Sequence, residues 1–547
     1  MRTRKIAAII AVVLCISMLF GGCAVRQSST GAENIKLTGV NEFPIVEEPV
    51  TMSAFAVKSA FVENFETNEF TKYYEEKTGV HIDWKVASGD AGQALNLMLA
   101  SGDYDDILLS TAMNKASCLK YADEGILVDI KPAIKKYGYY IKEMFEKASE
   151  VEPGVTIGNE IYGLPRYSGG FNSQYLDAMW VYKPWLEKLN IDMPQTTEEF
   201  YQMLKAFKEQ DPNGNSIADE IPLAGRGVME DWGIRNYIMS AFLPTGGTGW
   251  YHEDGQVKID SVQPEYREGL RYFKRLYDEG LLYADTFILD RTQITSIGES
   301  DVPILGCAPG MSRGMFTVAN GQQERFFEFG VVPPLEGPNG VRSAVKKKDS
   351  FYTMFSVTSS CASPELAVKW VDWLYSREGS LMSNNGASET IYREAKEGEL
   401  GYDGKQAKWA RDLVEVDDAS KNAVTQNNAW KNFGPLFNSL EDSLCTIDYN
   451  SVLSMDNETY KHYQSYSQYS VDNFLADPAV TAAEAGEYAD IHLNIYNAIT
   501  TWFTKFVTGE ADIDKDWDKY LSELNSFGYE RYIEILQSSF ERTGAIK

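Results

Sequence analysis

The chain has 547 residues, with 51 Lys and Arg against 79 Asp and Glu and a formal charge of −28. A surface that acidic repels phosphate backbones and anionic headgroups, which argues against a nucleic-acid-binding protein. With 11 Trp, 32 Tyr and 26 Phe there is ample material for packing, and the length exceeds one ordinary core, so at least two domains are expected.

The first 22 residues read as a leader rather than as fold. Arg2, Arg4 and Lys5 are positive, and residues 6–20 are an apolar run of signal-peptide length, too short for a comfortable membrane span. Gly21 and Gly22 are small, and Cys23 follows at once. The run Leu19-Phe20-Gly21-Gly22-Cys23 resembles the lipobox of bacterial lipoproteins, with Phe20 where the pattern usually carries Leu. The resemblance implies cleavage before Cys23 and a lipid anchor on its thiol, a diacylglyceryl group with acyl chains such as palmitate. The alternative is a plain secretory signal with an incidental cysteine. Residues 24–34 are polar, with Ser28, Ser29, Thr30 and Gly31, and suit a flexible tether.

Beyond the tether, residues 51–57 predict a strand, 69–77 a helix ending at Gly79, and 80–87 an alternating second strand. Residues 91–100 predict a helix and 105–110 a short third strand. Strand–helix alternation at this spacing points to an α/β sheet with helices on its faces. Residues 160–165 and 179–183 read as extended. Thr196 and Glu199 form a capping box ahead of Phe200, Leu204 and Phe207 on one helix face. Residues 265–279 predict an amphipathic helix closed by Gly280. Another starts at Ser363 with Pro364 at its first position, carries Ala367, Trp370, Val371 and Leu374, and is expected to end before Gly379. Residues 482–540 are largely helical by pattern. Trp180, Trp185, Trp370 and Trp373 follow these periodicities and are assigned to the core. Cys118, Cys307, Cys361 and Cys445 are widely spaced; free thiols are the default, and sequence assigns no disulfide.

The sharpest local motif is residues 211–220, DPNGNSIADE. Asp211, Asn213, Asn215, Asp219 and Glu220 place side-chain oxygens along a tight loop, and Ile217 can add its carbonyl. Hard oxygen ligands around a turn are what Ca2+ requires. The loop resembles an EF-hand loop but has Pro222 where the closing Glu would stand, so Glu220 is expected to close the shell. The alternative is an Asn/Gly-rich turn with solvated carboxylates. Either way the role is structural, since no nucleophile or base pattern lies nearby.

Aromatic and polar residues also cluster in expected loops: Tyr167, Asn172, Gln174 and Tyr175; Glu230, Asp231 and Trp232; Trp250 and Tyr251; Trp430. Sugar rings offer an apolar face to aromatic side chains and a hydroxyl rim to amides and carboxylates, so a cleft with these groups suits an oligosaccharide. For any single aromatic the alternative is ordinary core packing. Catalytic patterns are weak: His81, His252, His462 and His492 sit in no nucleophile or metal motif, and no GxSxG, HExxH or Walker pattern occurs.

Several segments in order carry a wider resemblance: EIYGLP at 160–165, WLEKLN at 185–190 running into PQTTEEF at 194–200, the 211–220 loop ending DEIPL, PPLEGP at 333–338, the helix from Pro364, and KFVTG, WDKY and GYERY near the end. The chain is similar to the extracellular solute-binding proteins of bacterial ABC importers, in the LipO/LplA-like and alginate-oligosaccharide-binding subgroup. One departure is Lys183-Pro184-Trp185, where the family often has Arg-x-Asp-Trp. The resemblance implies a non-enzymatic, two-lobed α/β periplasmic-binding-protein-like fold with discontinuous lobes and a hinge. Residues 23–46 would be the lipidated tether, 47–173 and 341–385 would form lobe one, and 174–340 and 386–547 lobe two with the calcium-like loop. It implies a solute held in the inter-lobe cleft and closure on binding, with Tyr167 and Gln174 among the contacts. Asp211, Asn213, Asn215, Ile217, Asp219 and Glu220 correspond to family calcium ligands. It also implies permease subunits as partners, and a location on the extracellular face of the cytoplasmic membrane. An oligopeptide or other organic solute, a surface polysaccharide hydrolase, and a sensory or adhesion lipoprotein remain alternatives.

Overall fold

The computed structural model describes residues 35–546 apart from 60, 88, 228–232, 246–248, 318–323, 348–350, 387–392, 412–426, 449–457, 476–477 and 482. The expected leader, Cys23 and residues 24–34 of the tether lie outside the described residues, as do Glu230, Asp231 and Trp232, while residues 35–46, expected as tether, instead pack Ile45 and Val46 into a core of the first sheet.

Two main sheets organise the chain. Their strands are β1 (Val50–Ala56), β2 (Val80–Val86), β3 (Ile107–Met113), β4 (Leu164–Ser168), β5 (Met179–Tyr182), β6 (Ile221–Leu223), β7 (Leu305–Pro309), β8 (Phe329–Val332), β9 (Thr353–Val357) and β10 (Leu436–Asn438). The first sheet has the order β10-β4-β9-β3-β1-β2 and the second β8-β5-β7-β6. In the first, β1 is parallel to β2 and β3, β10 is parallel to β4, and β9 alone runs against its neighbours β3 and β4. Alternation along these strands feeds two cores: Ala54, Ile107 and Leu109 face one, Phe55 and Leu108 the other. A mainly parallel sheet covered on both sides needs such near-continuous apolar runs. The second sheet and the helices Ala485–Thr508, Trp517–Ser526 and Tyr529–Thr543 share a third core.

The expected early elements are present. Asn68 caps the helix Glu69–Thr78, and Gly79 ends it with φ 73°, a left-handed conformation that glycine adopts without Cβ strain. The Thr196–Glu199 capping box opens the helix Thr197–Glu209. One boundary differs. The helix Pro364–Asp372 runs into a 3-10 turn at Trp373–Tyr375, and Ser376 then caps a further helix, Arg377–Asn385, that contains Gly379. Gly379 is needed for close approach rather than termination, because a Cβ there would meet the Trp373 carbonyl oxygen at 2.1 Å. Trp180, Trp185, Trp370 and Trp373 are buried as expected. All four described cysteines are free; Cys118 and Cys307 are buried, while Cys361 and Cys445 are partly exposed.

The expected placement of everything beyond residue 385 with the second lobe does not hold for one stretch. β10 pairs with β4, and Trp430, Phe433 and Phe437 pack in a core of the first sheet. Among the described residues no helix is long and apolar enough to cross a membrane.

Candidate functional site

Among the described residues the chain passes between the two sheets three times: from β4 to β5, from β8 to β9, and from β10 to the helix Glu458–Ser467, which packs against β8. Backbone geometry binds these crossings together. Gly169 N–H donates to Asn438 O at 2.8 Å and Lys347 N–H to Gln174 O at 2.7 Å. Phe171 N–H donates to Ser443 Oγ at 3.1 Å, and Ala344–Val345 of the second crossing pairs in parallel with Ser470–Val471, just past the helix that ends the third. Glycine permits the tightest approach, since a Cβ at Gly169 would meet the Tyr167 ring at 2.6 Å. Three adjacent, hydrogen-bonded connections between two separately cored sheets are the construction of a hinge.

The crossings also lie where strands of both sheets end. β4 and β10 end at Ser168 and Asn438, where the first and third crossings begin; β7 ends at Pro309, which pairs with Met179 at the end of the first. The carboxyl ends of parallel strands in both sheets therefore meet the hinge, and open α/β sheets bind ligands outside those ends.

The structure gathers four of the expected contact residues here. Tyr167 is buried, donates to Glu150 Oε1 at 2.6 Å and stacks on Phe437. Asn172 is exposed on the first crossing. Gln174 is buried and donates from Nε2 to Gly169 O at 2.8 Å. Tyr175 is buried against Tyr463 and Tyr466, with ring centroids 6.2 Å from each, and burial raises its hydroxyl pKa. Gln174 and Tyr175 thus hold the hinge together. Nearby, Phe171 packs on Tyr402 and Tyr460 at 4.8 and 5.6 Å, so the hinge has an aromatic flank.

Two expected contacts are corrected. Trp250 is only 4% exposed, in the core of the second sheet beside His492 and Tyr532. Trp430 is fully buried, packs edge-on to Phe70 at 4.9 Å and donates from Nε1 to Thr71 Oγ1 at 2.8 Å. Both are core residues, because the helices that cover them come from distant sequence. Asp231 and Trp232 lie outside the described residues, in the connection that follows β6.

Sequence reasoning missed Asp177, two residues before β5 and therefore at the carboxyl edge of the second sheet. It accepts a hydrogen bond from Asn236 Nδ2 at 3.1 Å across 59 residues of sequence, a separation at which no local pattern signals the pairing.

The 211–220 loop folds as its side chains dictate. Asp211 Oδ1 accepts from Gly214 N–H at 2.8 Å, Asn213 Oδ1 from Asn215 N–H at 3.0 Å and Asn215 Oδ1 from Ile217 N–H at 2.7 Å. The Asn213 and Asn215 amide groups both turn to Asp219. Ile217 projects its side chain outward, and its carbonyl accepts from Asp219 N–H at 2.9 Å. Glu220 Oε1 is buried with no hydrogen-bond partner, and burial, then Asp211 and Asp219, raise the pKa of its carboxyl. A buried, orphaned carboxylate oxygen beside two further carboxylates fits a cation. Among the described residues no three His, Cys, Asp or Glu side chains form a metal cluster on their own, so the fit relies equally on amide and backbone oxygens.

Residues 56–380 match the family model for bacterial extracellular solute-binding proteins. The chain belongs to that family. This bears out the resemblance read from the sequence, and the family is one of binding proteins rather than enzymes. The chain is 25% identical over 564 aligned residues, 98% of both chains, to the fructooligosaccharide ABC transporter substrate-binding protein FusA of Streptococcus pneumoniae. It is 24% identical to the lipoprotein LipO of Bacillus subtilis, covering 70% of this chain and 72% of LipO. Among solved structures, an HMO-binding, ABC-transporter-associated solute-binding protein from Bifidobacterium longum infantis superposes with a TM-score of 0.73 at 22% identity, covering 91% of this chain and 99% of that one. The two-sheet α/β fold is thus that of solute-binding proteins.

Proposed function

We propose that this protein is the oligosaccharide-capturing component of an ABC importer, held by a lipid on Cys23 at the extracellular face of the cytoplasmic membrane and delivering its solute to permease subunits. The observation that carries the reading is the three-stranded hinge, on which the carboxyl edges of both sheets and an aromatic flank converge. The full-length similarity to a fructooligosaccharide-binding relative supports the class of solute. Lobe one would comprise residues 47–173, 341–385 and the stretch around β10, and lobe two residues 174–340 with the rest of the chain beyond 385. Solute would bridge the lobes and favour the closed arrangement, since a ligand shifts a two-state equilibrium by its differential affinity.

The test is a thermal-shift screen of the mature body from residue 24 against defined oligosaccharides and peptides, with calorimetry on any hit. One-to-one binding of a glycan at about micromolar Kd, with no product formed, is expected. Stabilisation by peptides alone would sink the proposal.

The loop of Asp211, Asn213, Asn215, Ile217, Asp219 and Glu220 would hold Ca2+ as a structural brace, supplying charge that lets these oxygens pack together. Ca2+ at about 100 times its Kd should stabilise the fold by about 3 kcal/mol. A melting temperature unmoved by Ca2+ or chelator, together with no metal in the purified protein, defeats this assignment. Glu220→Gln should weaken the response.

A further inference from the structure

Cations gather at one edge of the first sheet without acids to meet them. Its strands β1, β2, β3, β4 and β10 all run the same way and β9 alone is reversed, so their carboxyl ends share the edge that meets the hinge. Lys58 stands just past the end of β1, Lys115 just past the end of β3, and Arg166 near the end of β4. Lys346 lies on the second crossing beside Lys347, whose N–H donates to Gln174 O. Met113 and Pro165 both align with Thr353 across β9, so Lys115 and Arg166 leave the sheet at nearly the same level, about 10 Å apart in strand spacing. In a chain of formal charge −28 acids are plentiful, yet among the described residues none of these four cations forms an ion pair. The Glu150 carboxylate, which accepts from Tyr167, pairs with none of them.

Two of the four are partly buried, where a missing counter-charge is costly. Arg166 donates from Nη1 to Gly434 O at 3.3 Å and Phe433 O at 3.5 Å, and from Nη2 to Asn384 Oδ1 at 2.8 Å. These neutral partners leave at least two of the five guanidinium N–H donors unused. Burial alone brings the Arg166 guanidinium down to about 10, with no carboxylate to raise it. Lys115 donates to Pro153 O at 3.0 Å, and burial lowers its ammonium pKa as well. The end of β3 beside them is strained and polar. Ser110 and Ala112 hold φ of 57° and 50°, left-handed values that are costly for a residue with a Cβ. Ser110 Oγ accepts from Gly434 N–H at 2.6 Å, and Thr111 Oγ1 is buried without a hydrogen bond. Strain of this kind clusters where a site is held in shape. A ligand that brings the missing negative charge relieves the cost of these cations, and a guanidinium fork matches a planar carboxylate.

We propose that the hinge-facing edge of the first sheet receives an acidic sugar ring, with Arg166 taking its carboxylate, Lys115 supplying a second positive charge, and Lys58 and Lys346 extending the rim. The inference rests on the oligosaccharide reading above and narrows it to solutes with a carboxylate-bearing ring. The acidic surface elsewhere does not oppose this, because a ring seated at the edge meets the local charge at close range, while more distant charges are screened by salt.

Calorimetry of the mature protein with trigalacturonate and sialyllactose, each free and as its methyl ester, and with kestose, maltotriose and cellotriose tests it. The ester keeps the ring and removes the charge. At least one acidic sugar binds wild type, and its ester binds about 100-fold more weakly. Arg166→Gln lowers affinity for the free acid by about 100-fold and leaves the ester within about threefold, so that acid and ester become alike, a coupling that a merely structural loss does not produce. Should Arg166→Gln fail to fold, Lys115→Gln, at a partly exposed position, carries the test: it lowers affinity for the acid by about 10-fold and for the ester by less than about twofold. Equal binding of acid and ester by wild type, or a neutral sugar bound more tightly than every acidic one, overturns the assignment and leaves the oligosaccharide reading intact. Equal losses for acid and ester in the variants make the cations structural and overturn it too. Silence of wild type across the panel fells the oligosaccharide reading, and this assignment with it.

Discussion

Buried polar groups are used differently behind the first sheet and beside the second. Behind the first they satisfy backbone. Asp372 accepts from the N–H groups of Tyr139, Tyr140 and Ile141, opening the helix Tyr140–Lys147. The Lys369 ammonium donates to the carbonyls of Thr38 and Ile45, pinning the stretch that follows the tether. Asn68 donates to Ala429 O at 3.1 Å. Beside the second sheet, Arg235, Asp260, Thr245, Tyr266, Asn236 and Asp177 are linked side chain to side chain, with both bonds to Asp260 falling on Oδ2 and its buried Oδ1 left without a hydrogen bond. Bonds of that kind are a small minority in folded proteins, and buried networks of them are costly when incomplete. The contrast suggests how to find a site in such a chain: aromatic content and buried ion pairs mark core as readily as cleft, whereas cations left without an acid in so acidic a protein ask for a function.

The largest expected effect comes from the aromatic side of this contrast. Trp430 fills the space between Phe70, Trp370 and Phe433 with no exposure. Trp430→Ala should cost about 5 kcal/mol of stability by denaturant unfolding, and above all lower the melting temperature. A variant that melts like wild type but loses solute affinity would return Trp430 to the cleft and break the contrast. On the polar side, Arg235→Met strands the Asp260 carboxylate in the interior and should cost about 3–5 kcal/mol; adding Asp260→Leu should recover part of that loss. If the double variant regains both stability and full solute affinity, the network is structural alone.

How much of this was legible in the sequence depends on how far apart the partners lie. The Thr196–Glu199 capping box, the turn at Gly79 and the burial of Trp180, Trp185, Trp370 and Trp373 rest on neighbours within one or two helical turns, and they read directly. Residues 211–220 are contiguous, so their turn-forming bonds could be anticipated side chain by side chain. Trp430 misled because it sits in no periodic element, and what buries it comes from Phe70, Thr71 and Trp370, far away in the chain. β10 was assigned to the wrong side for the same reason, since three residues carry too little pattern to announce pairing with β4. The bond from Asn236 to Asp177 gave no signal at all, since it joins one acid among 79 to an amide 59 residues away.

The smallest effect is also the cleanest probe of the backbone-serving side. Burial raises the Asp372 carboxyl to about 6, although three N–H donors pull the other way. In the unfolded chain the same group titrates near 4. A group whose folded pKa lies above its unfolded one contributes stability at low pH and loses it as pH rises through the folded value. Lowering the pH from about 7 to about 5.5 should therefore stabilise wild type relative to Asp372→Asn by somewhat less than about 1 kcal/mol, with the gain complete near pH 4. Many carboxylates titrate in this acidic protein, so only the difference between the two proteins isolates Asp372. Urea unfolding of each across that range measures it. A difference that stays flat with pH would mean that the three N–H donors hold the carboxylate ionised throughout, and that even behind the first sheet a buried charge can be fully stabilised by backbone alone.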